Sequence, residues 1–164
     1  VDGEHSILGG YWSTYWYDGR IYGTEIVRGL DVLTLQPSEH LSEAEIAAAG
    51  LADQGETFNP QQQNPVTWPD HPVVARAYVD QIVRGGWFED VAPAWIEALD
   101  EAEAAISAGR PDPALAARLA ALSDSMAADA AAEAATTNSP EGLSERLSAL
   151  SDILAGVAAV LRQA

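Results

Sequence analysis

The chain contains no cysteine and no lysine. Without cysteine there are no disulfides, thiolate metal sites or cysteine nucleophiles, a composition compatible with export. Without lysine, eight arginines are the whole basic complement against 25 acids, a net charge of −17. The excess is spread evenly: residues 1–40 carry six acids and two Arg, 41–92 eight and two, 93–164 eleven and four. A nucleic-acid backbone would be repelled at every approach, so no nucleic-acid partner is expected. An anionic membrane surface is disfavoured for the same reason, and the acidity reads as a solubility device. No apolar run is long enough to span a bilayer, so no membrane insertion is expected. The sequence shows no cleavable signal and starts at Val1 without an initiator Met. The chain therefore reads as a processed or trimmed product whose targeting segment lies out of view.

Catalytic signatures are also missing. The three histidines, His5, His40 and His71, stand far apart with no HExxH or HxH spacing, which argues against a preassembled zinc site. Ser38-Glu39-His40 sets triad-type residues side by side, but triads assemble from separated positions, so a polar loop is expected there. No GxSxG, Walker A or GxGxxG motif occurs, which leaves esterase, nucleotide and dinucleotide chemistry unsupported. The acids Glu97, Asp100, Glu101 and Glu103 crowd one helix and read as a solvated face, with a loose divalent-cation patch as the alternative. The expectation is no enzyme, no cofactor and no metal.

What is present divides the chain in three. Strands are expected at 11–17, 20–27 and 30–35, with Asp18-Gly19 as the tight turn, because both central residues of such a turn need positive φ. In the last of these Leu30 and Val32 alternate with Asp31 and Leu33, so apolar groups fall on both faces and a sandwiched strand is expected. Residues 37–71 form a Pro/Gln/Asn-rich connecting segment. In it, Ser42-Glu43-Ala44-Glu45 reads as a capping box opening a helix over 43–49, ended by Gly50. The stretch 58–69 holds two large aromatics among three prolines and is expected to lie pinned across a surface.

From 72 onward the period is helical. Pro72 opens a helix with the stripe Val74, Tyr78, Ile82, stopped by Gly85-Gly86. Trp95, Ile96, Leu99, Ala102 and Ile106 mark a second over about 93–108. Asp112-Pro113 and Ser139-Pro140 predict helices of roughly 113–135 and 140–163. In the last, Leu143, Leu147, Leu150, Leu154, Val157 and Leu161 alternate spacings of four and three, an a/d seam that Ile153 and Val160 would widen. Residues 93–164 include 23 alanines. Alanine favours helix but buries little area, so the bundle is expected to be the softer part. The fold class that follows is α+β: a three-stranded antiparallel meander, an irregular linker with one short helix, and a bundle of about four helices.

The strands carry a resemblance. Trp16-Tyr17-Asp18-Gly19-Arg20-Ile21-Tyr22-Gly23-Thr24-Glu25 followed by Gly29-Leu30-Asp31-Val32-Leu33-Thr34-Leu35 resembles one LVIVD repeat, a β-propeller blade of secreted bacterial proteins. Asp31 here precedes the hydrophobic run rather than ending it. Residues 71–81 are similar to C-terminal extensions of such proteins, and the helical end resembles C-terminal helical modules of secreted actinobacterial proteins. The resemblance implies a terminal blade over 1–36, a secreted or cell-surface location, and a helical tail over 72–164.

Propeller blades pack face to face, and one repeat cannot bury its apolar faces alone. Trp12, Tyr15, Trp16 and Tyr22 are therefore expected to contact protein outside the strands. The partner would be the remainder of the propeller or another protein chain, with a homo-oligomer as a further possibility. The leading expectation is a non-catalytic extracellular module that completes a propeller and mediates assembly or docking. Two alternatives stand beside it: a carbohydrate- or ligand-binding module using the aromatic strand, and a fragment of an enzyme whose active site lies on missing blades.

Overall fold

A computed structural model describes residues 10–27, 29–53, 66–137 and 140–163. The order is β1 (Tyr11–Tyr17), β2 (Arg20–Glu25), β3 (Gly29–Leu33), α1 (Glu43–Gly50), α2 (Pro72–Arg84), α3 (Ala92–Ser107), α4 (Pro113–Ala134) and α5 (Leu143–Leu161). The strands form one antiparallel sheet in the order β1-β2-β3. The α+β class and the three-stranded meander are as the sequence reads. Asp18 and Gly19 both take positive φ, 46° and 71°, the requirement of a two-residue hairpin turn. β2 and β3 end two residues earlier than the pattern suggests, at Glu25 and Leu33.

Among the described residues, every buried hydrophobic side chain lies on a helix. The a/d seam of α5 is the spine of the core: Leu143, Leu147, Leu150, Leu154, Val157 and Leu161 are all buried. They pack with Leu115, Leu119 and Met126 of α4, with Leu99 of α3, and with Val79 and Ile82 of α2. Burial therefore runs against the expectation of a softer bundle, because leucines fill the seam while alanines only let helices approach. Val160 does not widen the seam; it is exposed. α4 and α5 run antiparallel and are pinned along their length. The Asp112 N–H donates to the Leu161 carbonyl at 3.0 Å, and Ser144 Oγ donates to the Ala130 carbonyl at 3.0 Å. Between these pins the buried Ser123 and Ser151 hydroxyls each donate to the other residue's carbonyl, at 2.8 and 2.9 Å.

Caps explain the helix starts. Ser42 and Glu45 make the expected capping box, and Asp112 Oδ1 accepts the Leu115 N–H with Pro113 at the first turn. His71, one residue before Pro72, caps α2 through Nδ1, which accepts the Val73 N–H at 3.2 Å. The start of α5 differs from expectation. Ser139 lies outside the described residues, Pro140 precedes a turn closed by the Leu143 N–H on its carbonyl, and the helix begins at Leu143 after Gly142 at φ 74°. Glycine's left-handed turn, rather than the Ser-Pro pair, sets the entry angle.

The helix of the connecting segment, α1, packs on α2 through Ala44, Ala48, Val74 and Ala77. Arg84 of α2 clamps it, donating from both Nη atoms to the Glu45 carboxylate at 2.8 and 2.6 Å. Of the stretch expected to lie pinned, 58–69, residues 58–65 are outside the described residues, which break off over 54–65. The chain on either side of 54–65 meets in a bridge between Asp53 and Thr67.

Candidate docking face and cleft

Among the described residues the strands pair with one another and approach a helix where Trp16 and Tyr17 meet the end of α1. Cross-strand register sorts the sheet's side chains into two faces, since partners in an antiparallel pair lie on the same side. Tyr15 pairs with Tyr22 and Tyr22 with Val32, while Thr24 pairs with both Ser13 and Leu30. One face therefore carries Ser13, Tyr15, Tyr17, Arg20, Tyr22, Thr24, Leu30 and Val32. Tyr15 and Tyr22 are half-buried against each other's strands, whereas Tyr17, Leu30 and Val32 are exposed. The expected sandwich around β3 is thus absent among the described residues: Leu30 is 60% and Val32 47% exposed. A strand with apolar groups on both faces needs a layer on each side, and the helical body supplies none for this face.

The second face carries Thr14, Trp16, Ile21, Gly23, Glu25, Asp31 and Leu33. A bulge between Tyr11 and Ser13 shifts the register and brings Tyr11 to this side. Its ring lies over Gly23, 2.6 Å from where a Cβ would sit, and its hydroxyl donates to Asp31 at 2.8 Å. Glu25 is buried here, accepting the N–H groups of Gly10 at 3.0 Å and Val27 at 2.8 Å.

The structure brings together two of the four residues singled out from sequence, Tyr15 and Tyr22, and separates the others. Trp12, 80% exposed, sits at the bulge. Trp16 lies on the opposite face, where the hairpin meets the end of α1. There it walls a cleft of about 280 Å³ with Leu35, Ala49, Ala52, Val66 and Trp68. Ala49 and Trp68 also line a neighbouring hollow of about 230 Å³ against Val74, Ala77 and Tyr78 of α2, with Glu45 and Gln81 as its polar members. Sequence reasoning missed Trp68 as a partner of Trp16. Its only signal is a large aromatic beside Pro69 in an otherwise polar stretch.

Electrostatics in the helical body is mostly structural. Arg84 beside Glu45 holds that carboxyl below its ordinary value, through its hydrogen bonds first, and the pairing raises the Arg84 guanidinium in turn. The crowded acids of α3 are partly committed to neighbours: Asp100 pairs with Arg76 of α2, and Glu101 with Arg118 of α4 at 2.7 Å. Among the described residues, no three His, Asp or Glu side chains gather closely enough to hold a metal. Ser38 Oγ accepts the main-chain N–H of His40 at 3.2 Å, while His40 Nε2 stands 3.4 Å from Glu39 with both side chains exposed. That is a tight polar turn. No described helix is long and apolar enough to cross a membrane. In comparisons with known proteins, no family model, curated protein or solved structure matches the chain.

Proposed function

We propose that the chain is a non-catalytic, extracellular interaction module whose sheet docks against protein outside it, completing a propeller-like body. One observation carries this reading: on the face shared by Tyr15, Tyr22, Leu30 and Val32, both aliphatic side chains are exposed among the described residues. Exposed apolar patches of contiguous aromatic and aliphatic groups mark interaction surfaces in folded proteins. The resemblance of the strands to an LVIVD repeat supplies the kind of neighbour, another blade or a second chain. The helical body, with its own core, serves as the tail that assembles or docks.

Self-repulsion at −17 masks the patch at low salt, whereas ~1 M salt shortens the screening length to ~3 Å. Under those conditions a second copy can stand in for the natural neighbour. Sedimentation velocity of the whole chain should then record concentration-dependent association. Tyr15→Thr with Leu30→Thr, which keeps β-branched residues in the strands, should abolish it. A wild-type chain that stays monomeric throughout, or a variant that associates equally, overturns the docking role. Retention on immobilised glycans, lost with Trp12→Ala, would instead favour the carbohydrate-binding alternative, which the 80% exposure of Trp12 on the aromatic strand supports.

A further inference from the structure

We infer that the cleft walled by Trp16 and Trp68, with its adjoining hollow against α2, binds an uncharged small molecule: a flat apolar ring system carrying one acceptor oxygen. This site is separate from the docking face, because Trp16 lies on the opposite side of the sheet.

The cleft is apolar throughout. Trp16, Leu35, Ala49, Ala52, Val66 and Trp68 line about 280 Å³, at the small end of ligand sites, which run from ~300 Å³ upward. The backbone holds these walls in place. The Asp53 N–H donates to the Thr67 carbonyl at 2.7 Å, and the Ala52 N–H to the Ala49 carbonyl at 3.3 Å. The end of α1 is thereby tied to Thr67, whose neighbours are Val66 and Trp68. Both of these stay open to solvent, 41% and 42% exposed. Small residues make the room: Ala49 lines the cleft and also the neighbouring hollow of about 230 Å³.

The lining specifies the ligand. Two indole rings, and Tyr78 on the wall of the hollow, favour a flat ring system that can stack or meet them edge to face. The polar members of the hollow are Glu45 and Gln81. Both Glu45 oxygens are engaged, by the Ser42 N–H and by Arg84. A charged head group would therefore be desolvated there without a counter-charge, at a cost that nothing offsets. A carboxylate would in addition approach a chain of −17. Gln81 is different. Arg146 Nε can only donate, so the atom it meets at 3.3 Å is Gln81 Oε1, and the amide NH2 is the group Gln81 has to offer. A donor of that kind calls for a carbonyl or similar oxygen on the ligand.

The test uses three probes with the same two rings and different heads: indanone, indane and indane carboxylate. Titrated into the isotope-labelled full chain, indanone should shift the NMR signals of the Ala49 and Ala52 amides, the Trp68 indole N–H and the Gln81 side-chain NH2. It should bind at least ~3-fold tighter than indane, the worth of one modest hydrogen bond. Indane carboxylate should bind more weakly than indane. Gln81→Met keeps the length and helix propensity of the side chain and should bring indanone down to the level of indane. Ala49→Leu fills the space and should weaken both neutral probes by at least ~10-fold.

Shifts that map elsewhere, equal binding of indanone and indane by the wild type, or wild-type affinity in Ala49→Leu each overturn the assignment. The order of the three heads and the Gln81 signal are read in the unmodified chain, so they decide the matter even if Ala49→Leu disturbs α1. Sedimentation reads the opposite face of the sheet, so this proposal and the docking role fail separately.

Discussion

Glu45 works in two directions at once. Its carboxylate accepts the Ser42 N–H at 2.7 Å in the capping box and both Arg84 nitrogens from α2. Because its folded-state pKa lies below the ordinary value of 4.5, its contribution to stability is full above that value and is lost as pH falls through the folded value. Glu45→Gln can keep the box but not the ion pair, and should cost about 1 kcal/mol at neutral pH. Glu45→Ala should cost ~1 kcal/mol more, by losing the cap as well. Denaturant melts across acid pH should show wild type and Glu45→Gln converging in stability, since protonation removes the pair from the wild type too. Gly85 supplies a second residue-scale expectation. At φ −75° it sits in ordinary helical space, where alanine normally stabilises by ~0.4–1 kcal/mol. Here the added Cβ would fall inside the Trp87 ring, which packs on the core. Gly85→Ala should instead destabilise by about 2 kcal/mol, read by urea melts and by a shift in tryptophan fluorescence.

At the scale of the element, the α4–α5 hairpin isolates the role of a buried polar pair. Ser123 and Ser151 satisfy each other completely, yet the carbonyls they engage already belong to helical ladders. Removing both hydroxyls leaves no buried donor unpaired, and alanine is the better helix former. Ser123→Ala with Ser151→Ala should therefore match wild type to within ~1 kcal/mol. Ser123→Leu has no room in a core where helices approach through small residues, and should cost about 2–3 kcal/mol. Thermal melts of both variants decide between close approach and hydrogen bonding as the reason for serine here. Within the sheet, the comparable element-scale fact is the bulge that carries Tyr11 across to Gly23 and Asp31. It covers the one glycine of the central strand.

On the whole-molecule scale the burial map implies that the helical body stands without the sheet. All buried hydrophobic residues among those described lie on α1–α5, and the sheet reaches that body mainly at the cleft lined by Trp16 and Leu35. Deleting residues 1–36 should leave a cooperative melt with Tm lowered by no more than ~3 °C, on the order of 1 kcal/mol for a domain this size. Loss of the cooperative transition would mean that strands and helices fold as one unit.

The sequence alone determined the local features. An Asp-Gly pair can make a tight turn because both residues tolerate positive φ, and Ser42 with Glu45 spells a capping box. Asp112-Pro113 is a helix start, and the leucines of α5 announce one buried seam. Each is a matter of near neighbours, where the physics involves few atoms. Tertiary structure decided what lies far apart in the chain. Bulge and register, not alternation, put Tyr11 with Asp31, and folding set Trp16 beside Trp68 across β2, β3 and nearly the whole connecting segment. Gly142, in the left-handed region, opens α5 at Leu143, a start that the Ser-Pro pair three residues earlier did not signal. The open face of the sheet was also beyond the pattern. Alternation records that β3 has two apolar sides, but only the placement of the helices decides which of them the described residues leave exposed.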